Sequence, residues 1–443
     1  MHSGKRILWA VLLLIPLILA SPASADEIDD YIPDVTDRVA RISFITGDVQ
    51  IKRADTGEWE KAVLNLPIVE GDEITTEGGG RFEIQFNAVT HLRVAENSYL
   101  RITGLSDDGI ALSLPQGSLT LRAVKFNIDK TFLEIDAPKT TIAVEKAGSY
   151  RIDAGRPGDT EIRVVATDGG EARVYSYNSG FSLKSGRSAK VAIEGTFAGE
   201  WNIDDASRLV DEFDTWSLDR DSVIAKRLQT AYYDKYYDQD IYGAEDLNDY
   251  GEWVHTRKYG YVWRPYGSAI SQYSDWSPYR YGSWRWVGPY GWTWVNDEPW
   301  GWATYHYGRW VWDNGGWYWS PYGYYRYSRS WWQPALVVVQ IVRNNVCWYP
   351  LPYDYGYYNY NHHYYSGKPR RGRGNNNHNG GNSPGGGNGN PSPSPTPVAP
   401  PGSPVRASGR LRNGQPPLMS VPPQSVVSIP SSDFGRGRVG QKA

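Results

Sequence analysis

Trp284-Arg-Trp-Val-Gly-Pro-Tyr-Gly-Trp-Thr-Trp294 and Trp310-Val-Trp-Asp-Asn-Gly-Gly-Trp-Tyr-Trp319 decide how this chain folds. Each stretch places a Trp-x-Trp pair on either side of a few Gly, Pro or Asn residues. Residues two apart share one face of a strand but lie about 200° apart around a helix. The spacing therefore predicts β-hairpins, each presenting two stacked indoles, with Val287-Gly-Pro-Tyr-Gly291 and Asp313-Asn-Gly-Gly316 as the turns. Five such pairs occur, Trp284/Trp286, Trp292/Trp294, Trp300/Trp302, Trp310/Trp312 and Trp317/Trp319, within a region holding fifteen of the twenty tryptophans.

A rough repeat of 26 residues runs through this region, since Trp284-Arg-Trp286 recurs as Trp310-Val-Trp312. Repetition of hairpins from about Tyr242 to Tyr355 predicts a compact meander or small barrel. Few aliphatic residues lie between Tyr273 and Trp332, so indoles must fill much of the interior. Alternation along a strand also allows one face inward and another outward. The ten paired tryptophans are thus both the expected core and a candidate aromatic binding face for sugar rings or partner hydrophobes. Arg264, Arg285 and Arg309 stand beside indoles as candidate cation–π partners.

Working toward the N-terminus, residues 38–200 alternate apolar and polar positions in short runs, such as Arg81-Phe-Glu-Ile-Gln-Phe86 and Thr160-Glu-Ile-Arg-Val-Val165. Turn signals at Thr46-Gly-Asp48, Gly78-Gly-Gly80, Ser106-Asp-Asp-Gly109 and Asp168-Gly-Gly170 separate them. Many short strands without helical periodicity predict an antiparallel β domain, a sandwich or a roll. Between the two β regions, 203–230 changes period. Leu209, Val210, Phe213, Trp216, Val223, Ile224 and Leu228 fall on one helical face, interrupted by Arg220, and Asp204 or Asp205 is the expected cap.

Two resemblances add to this reading. Gly47-Asp-Val49, Glu70-Gly-Asp-Glu-Ile-Thr75, Val94-Ala-Glu-Asn-Ser98, Leu114-Pro-Gln-Gly117 and Gly148-Ser-Tyr-Arg-Ile-Asp153, in that order, resemble the FecR domain of bacterial periplasmic proteins. The Trp-rich half resembles an uncharacterised family of Trp/Tyr/Gly/Pro-rich domains found downstream of FecR domains in secreted bacterial proteins. Asp297-Glu-Pro-Trp-Gly-Trp-Ala303, Tyr305-His-Tyr-Gly-Arg-Trp310 and Cys347-Trp-Tyr-Pro-Leu-Pro352 carry that second likeness. Together they imply an envelope location and a FecR-like β domain, and they carry no implication about mechanism. FecR-type regulators place a sigma-factor-binding segment and a membrane helix before this domain. Here only six residues precede the first apolar run, so transmembrane control of a sigma factor is not expected.

That run, Ile7–Ala20, follows Lys5 and Arg6 and precedes Ala23-Ser-Ala25, the pattern of a cleaved signal peptide over 1–25. At about fourteen residues it is short of the roughly 20 a spanning helix requires. The expected location is the periplasm or cell surface, with no transmembrane helix in the mature chain. Cys347 is alone, so no intramolecular disulfide can form, and a buried structural thiol is expected.

The net charge of −3 conceals an asymmetry: from Ser366 onward ten Lys/Arg face the single acid Asp433. Residues 366–443 are expected to be a disordered Gly/Pro/Asn/Arg tail that can touch acidic polymers or lipid head groups through Arg370, Arg371 and Arg373. The remaining body is acidic, which argues against nucleic-acid binding.

Searching for chemistry yields little. Gly78-Gly-Gly80 lacks the following Lys-Ser/Thr of a phosphate cradle. His362-His363 lack an ordered metal-ligand spacing, His306 sits among aromatics, and Asp234, Asp238 and Asp240 lack the interleaved Gly and closing Glu of a calcium loop. No catalytic residue, cofactor or metal is expected. The chain reads as a mainly β, non-enzymatic envelope scaffold that binds a cell-envelope polysaccharide or protein. The alternative is a FecR-type sensory component that docks on a receptor or regulator.

Overall fold

A computed structural model describes residues 38–177, 179–206, 211–323, 330–353 and 421–440. The signal peptide expected over 1–25, Leu209, Val210, His362, His363 and the three arginines at 370, 371 and 373 lie outside the described residues. The fold is mainly β, and it holds two apolar clusters, one aliphatic and one aromatic.

The aliphatic cluster belongs to residues 40–205, where seventeen strands form two sheets. One sheet runs Pro67–Ile68, Ala40–Thr46, Arg81–Asn87, Thr90–Val94, Gly109–Ala123, Gly148–Gly155, Glu161–Thr167, Arg187–Ala192 and Trp201–Asp205. The other runs Trp59–Lys61, Val49–Lys52, Glu73–Thr76, Tyr99–Leu105, Gly109–Ala123, Phe132–Ala137, Thr140–Val144, Glu171–Tyr175 and Gly180–Lys184. The long strand Gly109–Ala123 serves both: its first half lies in one sheet and its second half in the other. Period-two alternation puts Ile42, Ile84, Leu121 and Ile152 of one sheet, and Ile51, Ile74, Leu112 and Val174 of the other, into the same core.

Turns anticipated from sequence close on one another. Gly47 has φ +70°, and a Cβ there would sit 2.7 Å from Gly79 O. The Gly-Asp turn and the triple-glycine turn therefore pack backbone to backbone, which only glycine permits. One pairing departs from the antiparallel expectation: Phe132–Ala137 runs parallel to Gly109–Ser113. A crossing between sheets at residues 124–131 brings the chain back in the same direction.

The helix also differs. Ile203–Asp205, expected as its beginning, belongs instead to the strand Trp201–Asp205, paired residue by residue with Arg187–Val191. Sheet pairing there overrides local helical periodicity. The helix is Glu212–Thr230, and its cap is Asp211 rather than Asp204 or Asp205. Asp211 accepts from Asp214 N while Asp214 reaches back to Asp211 N, a reciprocal capping box. Its attachment is chiefly ionic: only Ser217 and Ile224 are buried. Arg220, which breaks the apolar stripe, donates to Glu83 at 2.8 Å. Arg227 donates to Asp246 at 2.6 Å.

Four hairpins are present in the Trp-rich half. Gly251–Thr256 pairs with Gly260–Pro265, Gly282–Val287 with Gly291–Asn296, Arg309–Asp313 with Gly316–Ser320, and Val337–Val342 with Asn345–Pro350. They distribute over three small sheets rather than closing into a barrel. The register sets Trp284 opposite Trp294, Trp286 opposite Trp292, Trp310 opposite Trp319 and Trp312 opposite Trp317. The rings do not lie flat on one another. Three cross-strand pairs meet at 68–86°, edge to face, the arrangement the ring quadrupole favours.

Trp300-Gly-Trp302 is not a strand. Trp300 precedes a six-residue helix, Gly301–His306, in which Trp302 contacts His306 four residues on, at 4.7 Å. The last described stretch corrects the disordered-tail expectation for 421–440. Val427–Pro430 joins the strand Asn345–Pro350, Arg438–Val439 joins Gly282–Val287, and Phe434 is buried. Val421, Val427, Ile429, Phe434 and Val439 supply its apolar surface. Among the described residues no helix is long and apolar enough to cross a membrane.

Candidate functional site: an aromatic cleft where the two halves meet

Seven of the ten paired tryptophans, Trp284, Trp294, Trp300, Trp302, Trp310, Trp317 and Trp319, are buried. They are core, because this half has few aliphatic residues to fill its interior. Only Trp286, Trp292 and Trp312 keep appreciable exposure. Trp286, 45% exposed, donates from Nε1 to Asp55 of the N-terminal half at 2.7 Å. The ten therefore do not form one binding face. Among the described residues, neither Arg264 nor Arg285 stacks on an indole. Arg264 pairs with Glu252, and Arg285 reaches across to Glu60.

The two halves are joined by buried polar groups. Arg41 donates to Gln85 at 2.7 Å, Asn65 at 3.0 Å and Asp246 at 2.6 Å. Asn65 in turn donates to the Glu298 carbonyl at 3.3 Å. Glu245 accepts from Tyr233 at 2.6 Å and from Gln85. Nearby, Arg93 and Arg220 flank Glu83 at 2.9 and 2.8 Å. Burial disfavours the Glu83 charge, but His91, Arg220 and Arg93 hold its carboxyl well below the usual carboxylate range. His91 is itself pushed down to about 4 by burial. It is neutral at neutral pH, which leaves the two guanidiniums as the standing partners.

Beside this junction lies a half-open cleft of about 110 Å³. The N-terminal half contributes Arg38, Asn87 and Asp107 to its wall, and the Trp-rich half contributes Tyr290, Trp331 and Trp332. Tyr242 and Tyr307 also line it, and Tyr242 is fixed by donating to Val39 O. Arg38 is ion-paired with Asp107. Asp240, another wall residue, follows a turn in which Asp238 accepts from Asp240 N at 3.0 Å and from Ser330 at 2.6 Å. The acidic turn read in the sequence is thus a structural turn at the rim.

A second layer of aromatic rings holds the wall. Tyr290 meets Trp332 edge to face at 5.1 Å, and Trp332 stacks on the His306 ring at 4.8 Å and 25°. His306 Nδ1 lies 2.7 Å from Gln333 O. A carbonyl only accepts, so Nδ1 carries the proton and Nε2 is bare. Burial pushes His306 down to about 3, so the ring is neutral and its role is packing. Trp332 Nε1 is buried and has no hydrogen-bond partner among the described residues.

Deeper in the aromatic core stands Glu298, fully buried. Its Oε1 accepts from Trp276 Nε1 and from Tyr305 OH, both at 2.8 Å. Its Oε2 and the neighbouring Asn296 Oδ1 have no partner among the described residues. Burial pushes the carboxyl up to about 7. Cys347 is half-buried rather than buried, 3.3 Å from Ser428 Oγ. No group of three or more potential metal ligands occurs among the described residues.

The cleft was not legible in the sequence, because its wall joins residues from positions 38 to 332. The only local signal was Trp331-Trp332, an aromatic pair outside the Trp-x-Trp pattern.

Comparison with known proteins bears on the Trp-rich half. Residues 244–355 match the model of a family of unknown function (DUF6600). No curated protein matches the chain. Two solved structures of a proposed anti-sigma factor from Parabacteroides distasonis, at 1.65 and 2.50 Å resolution, are similar over 30% of this chain, at 13% and 14% identity and a TM-score of 0.26 each. The similarity spans 59% of the length of those structures. Over residues 244–355, then, the chain is similar to a family defined by sequence and without an assigned function.

Proposed function

We propose that this protein is an exported, non-enzymatic envelope scaffold whose cleft holds part of a cell-envelope polysaccharide. The observation that carries the reading is the cleft wall: Tyr290, Trp331 and Trp332 beside Arg38, Asn87, Asp107 and Asp240. Apolar ring faces with a few convergent polar groups are the chemistry that binds pyranose rings, whose C–H faces are apolar and whose rims are hydroxylated. A volume of about 110 Å³ is well below the ~300 Å³ and more of pockets that enclose a whole ligand. It suits one ring or chain end of a polymer that continues into solvent. The Lys5–Ala25 signal pattern and the FecR-type signature over 38–200 support an envelope location.

The test is retention of the purified mature protein on peptidoglycan, on exopolysaccharide and on envelope protein extracts, beside Tyr290→Ala and Trp332→Ala. Retention on a polysaccharide, reduced at least tenfold by either substitution, is expected. Retention on protein alone would replace the ligand class, and no retention would overturn the reading.

The FecR-type signature favours a second reading, a periplasmic sensory component that docks on a receptor or regulator. Deletion would then change transcription without loss of envelope integrity.

A further inference from the structure

The segment 421–440 returns to the Trp-rich half after sixty-seven residues, 354–420, rich in Gly, Pro, Asn and Ser. It then fills two vacancies at once. Val427–Pro430 hydrogen-bonds along Asn345–Trp348, and Arg438–Val439 pairs with Gly282 and Ser283. Between them Phe434 enters an aromatic slot, with ring centroids 5.4 Å from Trp284, 5.0 Å from Trp292 and 6.4 Å from Trp348. Ser431 N donates to Asn344 O at 2.9 Å, and Arg280 donates to Gln424 O. Gly435 has φ +76°, and a Cβ there would lie 2.2 Å from the Trp292 ring. Only glycine lets the backbone pass so close.

Without this strap two strands keep unpaired edges and the slot stands open between three indoles. Such edges are templates for pairing with another chain. The strand pairings, ring contacts and hydrogen bonds described above are all made to the Trp-rich half. Sixty-seven residues can reach roughly 220 Å when extended, at about 3.3 Å each, so the connection does not restrict which copy receives the strap. Identical contacts in cis and in trans differ only by effective concentration.

We propose that the groove formed by Asn345–Pro350, Gly282–Val287 and the Trp284/Trp292/Trp348 slot is a docking site for the 421–440 segment of a second copy of this chain, exchanged for its own. The exchange links copies without any new surface. It is favoured where local concentration rivals that of the tethered strap, on the order of 1 mM.

The test uses full-length chains and a fluorescent peptide of sequence 421–440. Phe434→Ala and Gly435→Ala chains, whose own straps are weakened, should bind the peptide at least tenfold more tightly than wild type. A peptide carrying Phe434→Ala should not bind. Tagged F434A chain should also capture a differently tagged wild-type chain, which donates its strap. Independently of either variant, two wild-type chains with different tags, held together near 1 mM and then diluted, should be captured together. Failure of the wild-type pair to co-capture overturns the proposal, as does a variant with the wild-type circular-dichroism spectrum that ignores the peptide. Neither result depends on whether the cleft binds a polysaccharide.

Discussion

Glu298→Gln should change how stability depends on pH, and the sign follows from burial. The carboxyl is fully buried with a pKa of about 7, against roughly 4.3 for an unfolded chain. Because the folded value is raised, the stabilising contribution is complete below pH ~4.3. It declines as the unfolded chain ionises first, and it is gone once pH passes about 7. At 1.36 kcal/mol per unit, the decline amounts to about 3–4 kcal/mol between pH 4 and pH 8. The glutamine amide would keep an oxygen to accept from Trp276 and Tyr305. It would also replace Oε2, which has no partner among the described residues, by an N–H donor. Urea unfolding followed by tryptophan fluorescence at pH 4.5, 6 and 8 checks this. The variant should match wild type to within about 1 kcal/mol at pH 4.5 and exceed it by about 3 kcal/mol at pH 8. A wild-type to variant difference that is the same at all three pH values would refute the argument that burial governs this carboxyl.

Two further outcomes follow from the packing. Arg220→Met leaves Glu83, whose side chain is 1% exposed, with one guanidinium fewer, and should cost about 3 kcal/mol, as removal of one partner of a buried pair does. A fall below about 1 kcal/mol in urea titration would show that Arg93 alone suffices. At Gly301, helix propensity alone predicts that Ala stabilises by up to ~1 kcal/mol. A Cβ there would lie 2.0 Å from Asn296 Nδ2 and 2.8 Å from the Tyr305 ring, so thermal denaturation should instead show a loss of at least about 2 kcal/mol.

Much of the local architecture could be read from residue spacing alone. Trp-x-Trp on both sides of Val287-Gly-Pro-Tyr-Gly291 and of Asp313-Asn-Gly-Gly316 specified two hairpins, and the register pairs the indoles accordingly. Alternation also placed Ile84, Leu92 and Val164 on the inner face of the N-terminal sheets. Side-chain direction has a fixed period along a strand, so such features are written locally. The same spacing failed at Trp300-Gly-Trp302, where contact between Trp302 and His306 and the fit of Gly301 beneath Asn296 select one helical turn. Helical periodicity failed at Ile203–Asp205, where an available sheet edge outcompeted the helix that begins seven residues later at Glu212. Which indoles are core and which line a wall depends on what covers each hairpin. For Trp284 and Trp292 the cover is Phe434, far away in sequence. For Trp332 it is a cleft whose opposite wall starts at Arg38. Periodicity determines which face a residue shares with its neighbours. Burial is set by long-range contacts, and these only the tertiary structure decided.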